Sequence, residues 1–60
     1  MIYINIKNNG TVETVDEFKT FKEAKLMVDE YRLSDKYNYY YTSSRSTKQW
    51  RLKRWQRRMD

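Results

Sequence analysis

The feature that most restricts this chain is its single glycine, Gly10, preceded by Asn8-Asn9 and flanked by two β-prone runs. Asn-Gly takes the positive φ values that a tight hairpin turn needs. Before it, Ile2-Tyr3-Ile4-Asn5-Ile6-Lys7 alternates apolar and polar residues, the period of a half-buried strand with Ile2, Ile4 and Ile6 inward. After it, Thr11 to Phe18 carries Thr11, Val12, Thr14 and Val15, all β-branched. The chain therefore predicts an opening β-hairpin. Its register has two solutions: a two-residue turn pairs Val15 with Ile4, and a three-residue turn pairs Val12 with Ile6.

A helix is expected next, over residues 20–34. Thr20-Phe21-Lys22-Glu23 reads as a capping box, in which the Thr20 hydroxyl and the Glu23 carboxylate each satisfy an open N–H of the first turn. Phe21, Ala24, Met27, Val28 and Tyr31 recur at three and four residues and form one apolar stripe. Lys22, Glu23, Lys25, Asp29, Glu30 and Arg32 fill the outer face, where Asp29 can pair with Arg32. Tyr37 to Ser43 then reads as a third strand, with Tyr37, Tyr39 and Tyr41 facing one way and Asn38, Tyr40 and Thr42 the other. Ser46 or Thr47 opens a second helix that runs to about Arg58.

The order strand, strand, helix, strand, helix constrains the topology. A right-handed crossover from the second strand brings the third beside the first. The expected fold is α+β: a ββαβ unit with a three-stranded antiparallel sheet in order 2-1-3, one helix on a face, and a basic C-terminal helix that docks or projects. The division is a mini-domain over 1–45 and a basic aromatic helix or arm over 46–60. Sixty residues bury only about 60% of the unfolded surface, so such a fold is marginal. With no Cys, neither disulfides nor thiolate metal sites can staple it. A second copy or a partner is one way to complete the core.

Charge is distributed unevenly. Residues 1–44 hold six basic and seven acidic residues, −1 in sum; from Arg45 onward seven basic residues meet one acid, Asp60, giving +6. Both tryptophans, Trp50 and Trp55, lie in that last quarter. On a helix of 3.6 residues per turn, Leu52, Trp55 and Met59 share one face, and Trp50 sits opposite among Lys53, Arg54 and Arg57. Arg51 and Arg58 lie along one flank. A dense cationic strip binds phosphates by counterion release and needs no base sequence. Five of its seven cations are Arg, whose fork matches phosphate oxygens. Trp50 among them can stack on an unpaired base or, if the helix starts after it, fold back over the sheet and plug the small core. The expected site is therefore Arg45, Lys48, Trp50, Arg51, Lys53, Arg54, Arg57 and Arg58, and the expected partner is nucleic acid, with single strands or RNA favoured. An acidic protein surface is the alternative partner.

The tyrosines suggest a second surface. One helix covers one face of a three-stranded sheet, so the other face is expected to stay open, with Tyr3 and part of Tyr39, Tyr40 and Tyr41 on it. Such a face stacks bases, seals a thin core or pairs two copies of the chain.

Enzyme chemistry finds little support. There is no His to act as general base or to activate Ser43, Ser44 or Ser46. Gly10 lies in the hairpin, so no Gly-rich phosphate loop exists. No carboxylate pair has metal-site spacing, and no cofactor is implied. No apolar run approaches the roughly 20 residues that span a membrane. The N-terminal Met1-Ile2-Tyr3-Ile4-Asn5 lacks a basic n-region, and zero Cys fits a cytoplasmic protein.

The opening strand Ile2-Tyr3-Ile4-Asn5-Ile6, the capped Thr20-Phe21-Lys22-Glu23-Ala24 and the run Tyr41-Thr42-Ser43-Ser44-Arg45-Ser46-Thr47-Lys48-Gln49-Trp50 together carry a resemblance. Over residues 1–50 the layout resembles a loose group of very small proteins encoded by phages and prophages of Gram-positive bacteria. The basic extension 51–58 falls outside it. The resemblance implies an accessory phage product in the host cytoplasm. Such proteins commonly inhibit a host protein or nucleoprotein complex, and anti-CRISPR proteins are one class of this size. No binding residue carries over from it.

Overall fold

The computed structural model describes residues 1–59, and the side chains of residues 1–53. The elements are β1 (Ile2–Asn8), β2 (Thr11–Phe18), α1 (Phe21–Ser34), β3 (Tyr39–Ser43) and α2 (Lys48–Met59). The three strands form an antiparallel sheet in order β2-β1-β3, with α1 packed on one face. The α+β ββαβ architecture expected from the topology rules is the one observed.

The hairpin turn has two residues, Asn9 and Gly10, with φ of 51° and 80°. Two positive values in succession match the right-handed twist of the strands. Asn8 faces Thr11, and the ladder continues through Asn5 and Thr14. There it slips: the next pair is Ile4 with Asp16, and Val15 is the extra residue of a β-bulge. Neither expected pairing, Val15 with Ile4 or Val12 with Ile6, is therefore realised. The bulge lets two successive residues serve the α1 side. Val15 packs against the core, and Asp16 accepts a hydrogen bond from the Tyr31 hydroxyl of α1 at 3.2 Å.

Thr20 is the N-cap of α1, its hydroxyl accepting from the Glu23 N–H at 3.3 Å. Ala24 and Val28 are buried, and Met27 and Tyr31 pack beside them. Phe21, expected in the same stripe, is instead 58% exposed. It lies in the first turn, ahead of the residues that meet the core. The outer face carries Lys25 bonded to Asp29 at 2.8 Å and Arg32 at 3.8 Å from the same carboxylate, exposed pairs each worth a few tenths of a kcal/mol.

The core is small: Ile4, Val28 and Tyr40, ringed by Ile6, Val15, Phe18, Met27 and Tyr31. Tyr40 belongs to it and not to the far face of the sheet. Its ring stacks on Tyr31 at 5.3 Å, and its hydroxyl donates to Asp35 at 2.9 Å. Asp35 also accepts from the Tyr37 N–H and the Asn38 amide, at 3.0 and 2.8 Å. Residues 35–38 thus wrap around one carboxylate, which is why β3 starts at Tyr39 rather than Tyr37. Arg32 reaches from α1 to the Tyr40 carbonyl, donating from Nε and Nη2 at 3.2 and 2.9 Å.

The face away from α1 is covered over part of its area, around Asn5 and Thr14, while Tyr39 and Lys7 stay exposed on it. Asn5 and Thr14, polar residues on that side, are only 3% and 2% exposed. The Thr14 hydroxyl donates to Asn5 Oδ1 at 2.6 Å and accepts from the Thr47 N–H at 2.8 Å. Asn5 Nδ2 donates to the Ser43 hydroxyl at 2.7 Å, which donates to the Arg45 carbonyl at 2.6 Å. The Thr14 N–H in turn donates to Thr47 Oγ1 at 3.4 Å. Residues 43–47 fold back over the sheet and satisfy a buried polar cluster, as burial of such groups demands.

Candidate nucleic-acid interface

The network around Thr14 sets where α2 begins. The Arg51 N–H bonds the Thr47 carbonyl at 3.3 Å, so the helix grows directly from the residue tied to β2. Two further contacts fix its rotation. Trp50 Nε1 donates to Glu17 Oε1 at 3.0 Å, and Lys53 Nζ lies 3.7 Å from Glu13 Oε1. Trp50 and Lys53, three residues apart, therefore face β2.

This rotation differs from the expectation of an indole set within an outward cationic strip. Trp50 is half-buried and its N–H is engaged by Glu17, so its first role is to hold α2 on the sheet. Leu52, expected on the apolar side, is 55% exposed. Lys53 keeps most of its surface in water, and its pairing with Glu13 is screened and weak.

The outward cations are Arg45, Lys48 and Arg51, all exposed. Lys48 and Arg51 are three apart and occupy one flank of α2. Arg45 stands at the end of β3, where its carbonyl is held by Ser43. Lys48 and Arg51 thus share one exposed flank of α2, Arg45 is exposed in the segment before it, and Trp50 is turned towards β2. Arg54, Arg57 and Arg58, with Trp55 and Met59, lie outside the residues whose side chains are described.

The aromatic face also divides. Tyr40 is in the core. Tyr39 and Tyr41 project from the opposite side of β3, with rings stacked at 5.7 Å and an interplanar angle of 26°. Tyr3 is half-buried on the same side of β1, between Glu17 and Ser43 in the ladder. Lys7 pairs directly with Tyr39 and is exposed on that side too. Lys7 was not among the residues singled out from the sequence. Its parity with Tyr3, two strand periods away, was the available signal.

The perturbed titrations belong to structural positions. Hydrogen bonds from Asn38, Tyr40 and the Tyr37 N–H hold the Asp35 carboxyl below its ordinary value. The Tyr40 hydroxyl is raised, chiefly by its bond to Asp35 and then by burial. Burial and the neighbouring Asp16 raise Tyr31. All three groups tie α1 to the sheet.

No protein-family model, curated protein or solved structure matches the chain. Among the described residues, no helix is long and apolar enough to cross a membrane. The functional reading therefore stands on side-chain chemistry.

Proposed function

We propose that this chain is a small, non-enzymatic nucleic-acid-binding protein, with α2 and the residues leading into it as its grip. The observation that carries the reading is the exposed set of Lys48 and Arg51 on a helix whose start is anchored through Thr47 and Trp50, with the exposed Arg45 in the segment leading into it. An anchored helix presents cations in a fixed pattern, so less ordering entropy opposes binding. The remaining Arg54, Arg57 and Arg58 extend the same basic run in sequence. The polymer is single-stranded or RNA, and the setting is the host cytoplasm of a phage accessory protein.

The test is a salt titration of affinity. Engagement of about five phosphates gives a log–log slope near −3.5 on a single strand and near −4.5 on duplex DNA. Replacing Arg45, Lys48, Arg51, Arg54, Arg57 and Arg58 together by Gln should flatten the slope and abolish binding. Unchanged affinity and slope in that variant would end the proposal.

A second reading has its own support. Leu26 and Leu33 are 66% and 77% exposed on the outer side of α1, as expected of a helix that meets another protein. In this reading the chain is a phage-encoded inhibitor of a host protein or nucleoprotein complex, of the anti-CRISPR kind. A pull-down from host lysate with and without nuclease separates the two. A single host protein retained after nuclease, and lost in Leu26→Ser/Leu33→Ser, selects the inhibitor. Recovery of a second copy of the chain alone would point to a homodimer.

A further inference from the structure

β3 separates its tyrosines by role. Tyr40 points into the core and is fixed by Tyr31 and Asp35, whereas Tyr39 and Tyr41 form a stacked pair on the other side. The pair has two different ends. Tyr41 lies in the ladder row of the buried Asn5 and is half-buried; Tyr39 is 61% exposed. An exposed end on a column of two rings is a surface on which a third flat ring can continue the stack. Burial of one member against the sheet means that little freedom is lost when a ring is added.

One cation stands beside the column, and a second follows β3 in the chain. Lys7 stands directly across from Tyr39, a separation of about 5 Å between Cβ atoms for cross-strand neighbours. Arg45 follows Ser43 at the far end of β3 and is exposed. Aromatic rings interleaved with cations are what the bases and phosphates of a single strand require.

We propose that Tyr39 and Tyr41 form a stacking site for an unpaired nucleobase, with Lys7 and Arg45 taking the flanking phosphates. This rests on the nucleic-acid reading of α2 and specifies the form of the polymer. A base inside a duplex already has both faces occupied by its neighbours, so the column selects single strands. The α2 cations supply affinity for any phosphate chain, and the column supplies the preference.

The experiment measures binding of the full-length protein to oligothymidylate of about ten nucleotides and to a duplex of equal length, by fluorescence anisotropy. Tyr39→Ala should weaken single-strand binding about tenfold and leave the duplex within about twofold. Tyr39→Trp, with a larger ring face, should bind the single strand at least as tightly as the unaltered protein. Lys7→Gln should lower the single-strand salt slope by about 0.7. Circular dichroism checks that each variant is folded; if Tyr39→Ala is not, Tyr39→Trp and Lys7→Gln decide. Equal single-strand affinity for Tyr39→Ala, or a loss in Tyr39→Trp, would overturn the site. So would a dimer that dissociates in Tyr39→Ala while oligonucleotide affinity holds, because the column would then be an interface between copies. Loss of binding only on neutralising α2 removes the column and keeps the grip. An unaltered protein that binds neither oligonucleotide removes both.

Discussion

Replacing Thr14 by Val tests the polar cluster beneath residues 43–47. The change keeps the β-branched shape and deletes one hydroxyl, which serves two partners. Asn5 Oδ1 would lose its donor at 2.6 Å inside a residue that is 3% exposed. An orphaned buried acceptor costs about 1–3 kcal/mol. The Thr47 N–H would lose its acceptor at 2.8 Å, but Thr47 is half-buried and water can reach it, so about 1 kcal/mol is expected there. The sum is about 2–4 kcal/mol. A chain of this length has roughly 3–9 kcal/mol of total stability, so the variant should lose at least about a fifth of it. At about 4–8 °C per kcal/mol for small domains, Tm should fall by at least about 8 °C. Urea titration followed by circular dichroism reports the whole fold, and tryptophan emission reports α2, because Trp50 is bound to Glu17. Emission should shift to the red before the sheet unfolds. Asn5→Val/Thr14→Val should recover part of the loss, since the orphaned acceptor is then gone as well. A Thr14→Val variant within about 0.5 kcal/mol of the unaltered protein would show that the cluster does not hold residues 43–47 down.

Trp50→Phe keeps an aromatic ring but removes the N–H that reaches Glu17 together with part of the half-buried ring surface. The cost should be about 1 kcal/mol, discounted because the site is half-exposed; a thermal melt indistinguishable from the unaltered protein would mean that the hydrogen bond does not anchor α2. Asp35→Asn tests the carboxylate at the α1–β3 turn. Its folded pKa is lowered, so the stability it contributes is present above its ordinary value of about 3.9 and is lost as pH falls through the folded value. Between about pH 5 and pH 2 the unaltered protein should therefore lose more stability than Asp35→Asn. Parallel Tm-versus-pH curves would refute the assignment.

The parts of this fold that were legible before any coordinates are those with local causes. The alternation of Ile2, Ile4 and Ile6, the Asn9-Gly10 turn and the Thr20 cap each act over a few residues. The crossover rule then left one strand order. What was not legible depends on partners far along the chain. The bulge at Val15 arises because both Val15 and Asp16 find uses on the α1 side, which no period-two pattern announces. Asn5 reads as solvent-facing by alternation and the face of Thr14 was open with the register, yet both are buried, with partners more than thirty positions away. The rotation of α2 followed Thr47, Trp50 and Lys53, whose partners lie on β2, and not the apolar spacing of Leu52. The cationic bias of the last quarter was plain from the sequence. Which of its two readings Trp50 takes, and that Lys7 stands beside Tyr39, needed the sheet register.

Both outer strands of the sheet have a main-chain group claimed by a side chain. Thr47 takes the Thr14 N–H on β2, and Arg32 takes the Tyr40 carbonyl on β3. A foreign strand seeking to extend the sheet would meet these plugs on either border and would have to evict one of them first. Occupied border groups oppose edge-to-edge pairing, and the residue that occupies β2, Thr47, is the one from which α2 departs. Loosening the helix would therefore also unseal a seam at which chains can zip together.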